Sequence, residues 1–112
     1  MKVLFFLLLS SSLMTSSSFV KKGISVVQYN AEFNKNNNLN LSKISDAKIF
    51  DVYIDNDEEL MKFGKIRSVP TIVIYQDRQE VIRWEADLSM KLRIDHEDIQ
   101  EEIDKLTGIN KF

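Results

Sequence analysis

Three short runs of the chain are dense in apolar side chains and free of helical spacing. The first is Ile24-Ser25-Val26-Val27-Gln28-Tyr29-Asn30, a largely apolar stretch of the kind that fills a strand covered on both faces. The second, Lys48-Ile49-Phe50-Asp51-Val52-Tyr53-Ile54-Asp55, is built from β-formers throughout. The third, Thr71-Ile72-Val73-Ile74-Tyr75, follows the only proline and is separated from Glu80–Trp84 by Gln76-Asp77-Arg78-Gln79. That spacing predicts an antiparallel hairpin. Between the second and third runs, Asp55 or Asn56 can cap a helix whose first turn holds Asp57, Glu58 and Glu59. Leu60, Met61 and Phe63 supply its inner face and Gly64 ends it. A last helix is capped by Asp95, carries Ile99, Ile103 and Leu106 on one face, and stops at Gly108. Leu88, Met90, Leu92 and Ile94 alternate with polar residues, which suits an extra edge strand or an extended connection. Asn34–Ser42 is polar and asparagine-rich, with Leu39 and Leu41 two apart, so no long well-formed helix is expected there. The order is β-α-β-α-β-β-α: an α/β fold with a central mixed sheet and helices on both faces. A right-handed crossover makes its first two strands parallel.

The N-terminal pattern differs. Lys2 precedes the apolar run Val3–Leu9 and a serine-rich stretch to Ser18, the layout of a secretory signal. The run is too short to span a bilayer, so no stable membrane span is expected. Residues 1–19 are therefore expected to be a signal peptide, and export to the periplasm or medium would follow cleavage near residue 18. The alternative is a hydrophobic N-terminal arm that docks on a neighbour. Residues 20–112 make one small domain. The formal charge of −2 leaves no basic face dense enough for nucleic acid.

Ile66-Arg67-Ser68-Val69-Pro70-Thr71 changes the picture, because a proline opening a strand can stand on a cis peptide bond. Upstream, the first strand runs into Ala31-Glu32-Phe33-Asn34-Lys35-Asn36-Asn37-Asn38. Together these segments resemble the thioredoxin superfamily, whose active-site turn reads Ala-Glu-Trp-Cys-Gly-Pro-Cys-Lys and whose later strand begins with a cis-proline. The resemblance covers about residues 24–106 and implies a minimal thioredoxin-like domain, with a parallel strand pair, a C-terminal antiparallel hairpin and, because Asn37 and Pro70 are closer than in the family, an active-site helix reduced to a couple of turns around Leu41-Ser42-Lys43-Ile44. It also implies that Phe33 replaces the motif tryptophan and that Asn34 and Asn37 replace its two cysteines. Gln28 falls at the buried aspartate, Asp51 at the lysine that faces it, and Ala86 at a glycine near the cis-proline.

The chain has no cysteine, and an asparagine amide cannot replace a thiolate in disulfide exchange. No catalytic residue, cofactor or metal is expected. His96 lies in an acidic helix start, and Asp55–Glu59 lacks calcium-loop spacing. Nor is there a glycine-rich phosphate loop. In the family, the motif turn and the cis-proline loop form a groove in which extended peptides pair with backbone groups. The resemblance places Phe33, Asn34, Asn37, Ser68, Val69 and Pro70 there. Trp84 is expected to pack against the last helix. The expected function is a non-enzymatic protein-binding or structural role on a redox-inactive scaffold, with another protein or an extended peptide segment as partner and oligomer formation open. The alternative is a subunit of a large assembly such as a phage virion, docked through the N-terminal arm.

Overall fold

The computed structural model describes Val20 and residues 22–108. The expected signal peptide or arm, residues 1–19, lies outside the described residues.

Four strands form one sheet in the order β2-β1-β3-β4, with β1 at Ile24–Asn30, β2 at Lys48–Tyr53, β3 at Thr71–Gln76 and β4 at Gln79–Glu85. β1 and β2 run parallel, with Val27 beside Phe50 and Gln28 beside Asp51. β3 is antiparallel to β1, and β4 to β3. The hairpin closes through Asp77 and Arg78, both left-handed at φ 51° and 74°, the two-residue geometry whose twist matches flanking strands.

Side-chain alternation divides the core. Val26, Ile72 and Ile74 pack with Leu41 and with Ile99 and Ile103 of α2 (His96–Thr107). Val27, Tyr29, Val73 and Tyr75 point to the other face, where Phe63 of α1 (Glu58–Gly64) and Ile66 cover them. The helices therefore lie on opposite faces, and Trp84 packs against the α2 side. Both α2 caps follow the sequence: Asp95 and Asp98 form a reciprocal capping box, and Gly108 ends the helix at φ 75°.

Two expectations fail and two are refined. No helix forms around Leu41–Ile44; a 3₁₀ helix spans Glu32–Asn37 instead, and Leu41 accepts a single turn bond from Ile44. Asparagine side chains draw the chain into a tight turn directly after β1, leaving an extended crossover. Neither Asp55 nor Asn56 caps α1. Asp57 does, accepting from the Leu60 N–H at 3.1 Å, while Asp55 accepts the Glu32 N–H at 2.8 Å. Gly64 is the last residue of α1, and the left-handed position belongs to Lys65 at φ 54°. Glycine is needed at 64 for another reason, since an added Cβ would sit 2.7 Å from the Tyr29 ring. Lastly, Leu88–Ile94 is not a strand. It folds back at Asp87–Met90, leaving Leu88 fully exposed while Leu92 and Ile94 join the core.

Candidate functional site

The C-terminal end of β1, the 3₁₀ helix, the turn before β3 and the loop after β4 converge on one end of the sheet. The Val69–Pro70 peptide bond is cis. Pro70 is buried, and its carbonyl accepts the Ala86 N–H at 3.1 Å. The turn is closed by the Thr71 hydroxyl, which donates to the Ser68 carbonyl at 2.8 Å. Ser68 and Val69 are half-buried, and the Val69 N–H has no partner among the described residues.

The asparagines behave as one interlocked set. Asn30 donates to the Asn34 carbonyl at 2.9 Å and to Asn38 Oδ1 at 2.8 Å, and its own Oδ1 accepts the Ala31 N–H at 2.8 Å. Asn38 passes the chain of bonds to the Tyr53 hydroxyl at 3.2 Å. Asn34 is 6% exposed, and its Nδ2 donates to Asn30 Oδ1 at 3.2 Å and to the Met90 carbonyl at 3.1 Å. A longer contact of 3.5 Å reaches the Val69 carbonyl. Asn37 donates to Asn34 Oδ1 at 2.7 Å. At the two positions where the resemblance places thiols, the side chains are thus tied to one another and, at Asn34, inward. Buried amides are stable when every donor and acceptor is paired, and this set comes close.

Gln28 and Asp51 also meet, with Gln28 Nε2 donating to Asp51 Oδ1 at 2.8 Å. The two positions that the resemblance aligns with a buried aspartate and its facing lysine are in contact here as an amide and a carboxylate.

Beside the Val69–Pro70 turn lies an apolar hollow of about 310 Å³, walled by Ile54, Met61, Ile66, Val69, Leu88 and Met90 and rimmed by Arg67, Ser68 and Asp87. Of the sequence-derived site residues, Ser68 and Val69 line it. Asn34 is buried and bonds the Met90 carbonyl of its wall, Pro70 is buried and outside its lining, and Phe33 stands exposed next to Asn34. Ile54, Met61, Leu88 and Met90 were not expected there. The alternation through Leu88, Met90, Leu92 and Ile94 carried the signal: its inner half joins the core and its outer half forms the wall.

Charges at the rim are already matched. Arg67 pairs with Glu85 at 2.8 Å, and that contact chiefly lowers the Glu85 carboxyl below its usual range. Asp87 accepts from the Ser89 hydroxyl and N–H and from Arg93 Nε at 2.6 Å, which together hold its carboxyl down at about 2. Among the described residues no cluster of His, Asp or Glu could hold a metal, and no helix is long and apolar enough to cross a membrane.

No family model and no curated protein sequence matches the chain. Its architecture does match solved structures. A thioredoxin of Fasciola hepatica is 19% identical, with a TM-score of 0.56 over 86% of this chain and 92% of that one. Chloroplastic thioredoxin z is 15% identical, with a TM-score of 0.57 over 88% and 89%. A mutant thioredoxin of Halobacterium salinarum is 16% identical, with a TM-score of 0.56 over 75% and 74%. The chain has a thioredoxin-like fold, and it has no cysteine with which to perform thiol chemistry.

Proposed function

We propose that this chain is a non-enzymatic protein-binding component that receives an extended segment of a partner across the hollow beside Val69 and Pro70. The observation that carries this reading is the juxtaposition of the Val69 N–H, unpartnered among the described residues, with a wall of exposed apolar side chains, Leu88, Met61 and Met90. An extended peptide can satisfy that backbone donor while one of its side chains enters the hollow. Exposed apolar groups gathered on one surface commonly mark contact sites. Absence of thiols supports a role in holding rather than converting the partner, and the apolar leader supports export.

The test compares proteins co-purified with the wild type, with Leu88→Glu, and with Glu101→Lys on α2 across the sheet. Loss of the same proteins with Leu88→Glu alone is expected; retention with Leu88→Glu would overturn the reading. Turnover of insulin disulfides above a no-protein control would overturn its non-enzymatic part.

A further inference from the structure

Asn34 is buried, so it offers no surface of its own. Its amide nevertheless reaches two residues of the hollow's lining, donating at 3.1 Å to the Met90 carbonyl and lying 3.5 Å from the Val69 carbonyl. A contact of 3.2 Å to Asn30 Oδ1 fixes it to the end of β1. Asn37, donating at 2.7 Å to Asn34 Oδ1, sets which way the amide faces. The bond to Met90 matters because of what Met90 is. It sits in the left-handed region at φ 61° and closes the turn through its N–H to the Asp87 carbonyl at 3.0 Å. Moving that backbone moves Leu88 and Met90 together.

The lining also restricts the occupant. Ile54, Met61, Ile66, Leu88 and Met90 are apolar, and the two lining charges are spent, Arg67 on Glu85 and Asp87 on Arg93. A charged side chain entering the hollow would lose water without finding an unpaired counter-charge there. A large apolar one would exchange water for adaptable methionine and leucine surfaces.

We propose that Asn34 is the positioning residue of this hollow: by bonding the Met90 backbone to Asn30 at the end of β1, beside the Val69 carbonyl, it sizes the site for an extended segment carrying one large uncharged apolar side chain. This rests on the reading of the hollow as a docking site. The role is specific to an amide, since a thiol has too few donors to bridge these groups.

The probes are short acetylated serine–glycine peptides with one central residue varied among Phe, Leu, Ala, Lys and Glu, titrated into isotope-labelled protein and followed at the Val69 and Leu88 amides. Wild type should prefer Phe and Leu over Ala, Lys and Glu by about tenfold or more, as apolar burial of this size implies. In Asn34→Ala that preference should fall below about threefold, and in Asn34→Ser, which keeps one donor, it should be partly restored. An undiminished preference in Asn34→Ala overturns the positioning role and leaves the docking reading standing. Absence of binding by wild type to every peptide overturns the docking reading itself. Should the variants fail to fold, the wild-type Asn34 side-chain amide decides. Protection from solvent exchange and a shift with the Phe peptide but not the Ala peptide support the role; rapid exchange or an unmoved signal overturns it.

Discussion

The side-chain amide of Gln28 pairs with both backbone groups of Leu39: Nε2 donates to the carbonyl at 3.0 Å, and Oε1 accepts the N–H at 2.8 Å. A β1 side chain thus acts as a strand partner for a crossover that has no α-helix. Gln100 on α2 repeats the arrangement at Ser45, donating to its carbonyl at 3.2 Å and accepting its N–H at 2.9 Å. Between the two clasps the chain delivers Leu41 into the core. The extended crossover can be short of regular structure because its backbone groups are satisfied from both ends.

Gln28→Leu keeps the approximate volume but takes the partner from the half-buried Leu39 N–H and carbonyl and from Asp51 Oδ1. The expected cost is about 2–4 kcal/mol, from the lost bonds to partly desolvated groups. Gln100→Leu, at an exposed clasp where water can substitute, should cost less than about 1 kcal/mol. Urea midpoints at constant m-value measure both. Equal losses would mean that burial of the Gln28 clasp contributes nothing.

At Gly64, helix propensity and packing oppose each other. Alanine is the better helix former by up to about 1 kcal/mol, but its Cβ would approach the Tyr29 ring to 2.7 Å and Ile66 Cδ1 to 2.9 Å. The ring cannot retreat easily, because the Tyr29 hydroxyl is bonded to the Tyr75 hydroxyl at 2.7 Å and Tyr75 stacks on Phe63. Gly64→Ala should therefore destabilise by about 1–3 kcal/mol, the usual cost of overpacking. A gain in thermal midpoint would show that α1 slides away from the sheet at little cost.

These two sites illustrate what the sequence discloses. Apolar alternation is a local signal, so the four strands, the Asp77-Arg78 hairpin and α2 with its Asp95 cap were legible from it. The Val69-Pro70 turn was legible too, because a strand-opening proline has few places to stand. Asn34 was legible as a position and not as a role: that its amide faces inward depends on Met90, 56 residues away, and no local pattern encodes that distance. Glycine at 64 read as a helix stop because glycine usually is one, whereas its cause is a ring from β1. The helix expected near Leu41 failed for the same reason, since Gln28 offers the backbone a partner that competes with helical bonding.

The Asp87 carboxylate should govern the loop that carries Leu88 and Met90 at low pH. The Ser89 hydroxyl first, then Arg93 and the Ser89 N–H, lower its value to about 2, against an unfolded value near 3.9. A lowered folded value means stability that is present above the unfolded value and lost as pH falls through the folded one. Loop order should therefore persist above about pH 4 and fade toward pH 2. Glu80, held down by Arg83, and Glu85, held down by Arg67, push in the same direction. Carboxyl carbon titration of Asp87, read with the Ser89 amide shift, checks this. A midpoint near the ordinary aspartate value would show that the Ser89 and Arg93 contacts do not hold in solution.

Phe33 separates recognition from folding. It is 73% exposed on the 3₁₀ helix, one residue before the amide that reaches Val69 and Met90. An exposed side chain contributes little to the core, so Phe33→Ala should change stability by no more than about 0.5 kcal/mol. If the partner covers this end of the sheet, burial of the ring contributes about 1.5–3 kcal/mol to the complex, and its loss should weaken binding about tenfold or more. The two readouts pull apart only for a contact residue. A large loss of stability would make Phe33 part of the core, contrary to its exposure. Unchanged stability with unchanged affinity would place the contact elsewhere, and the same titration with Leu88→Ser would then show whether the partner uses the hollow without reaching the 3₁₀ helix.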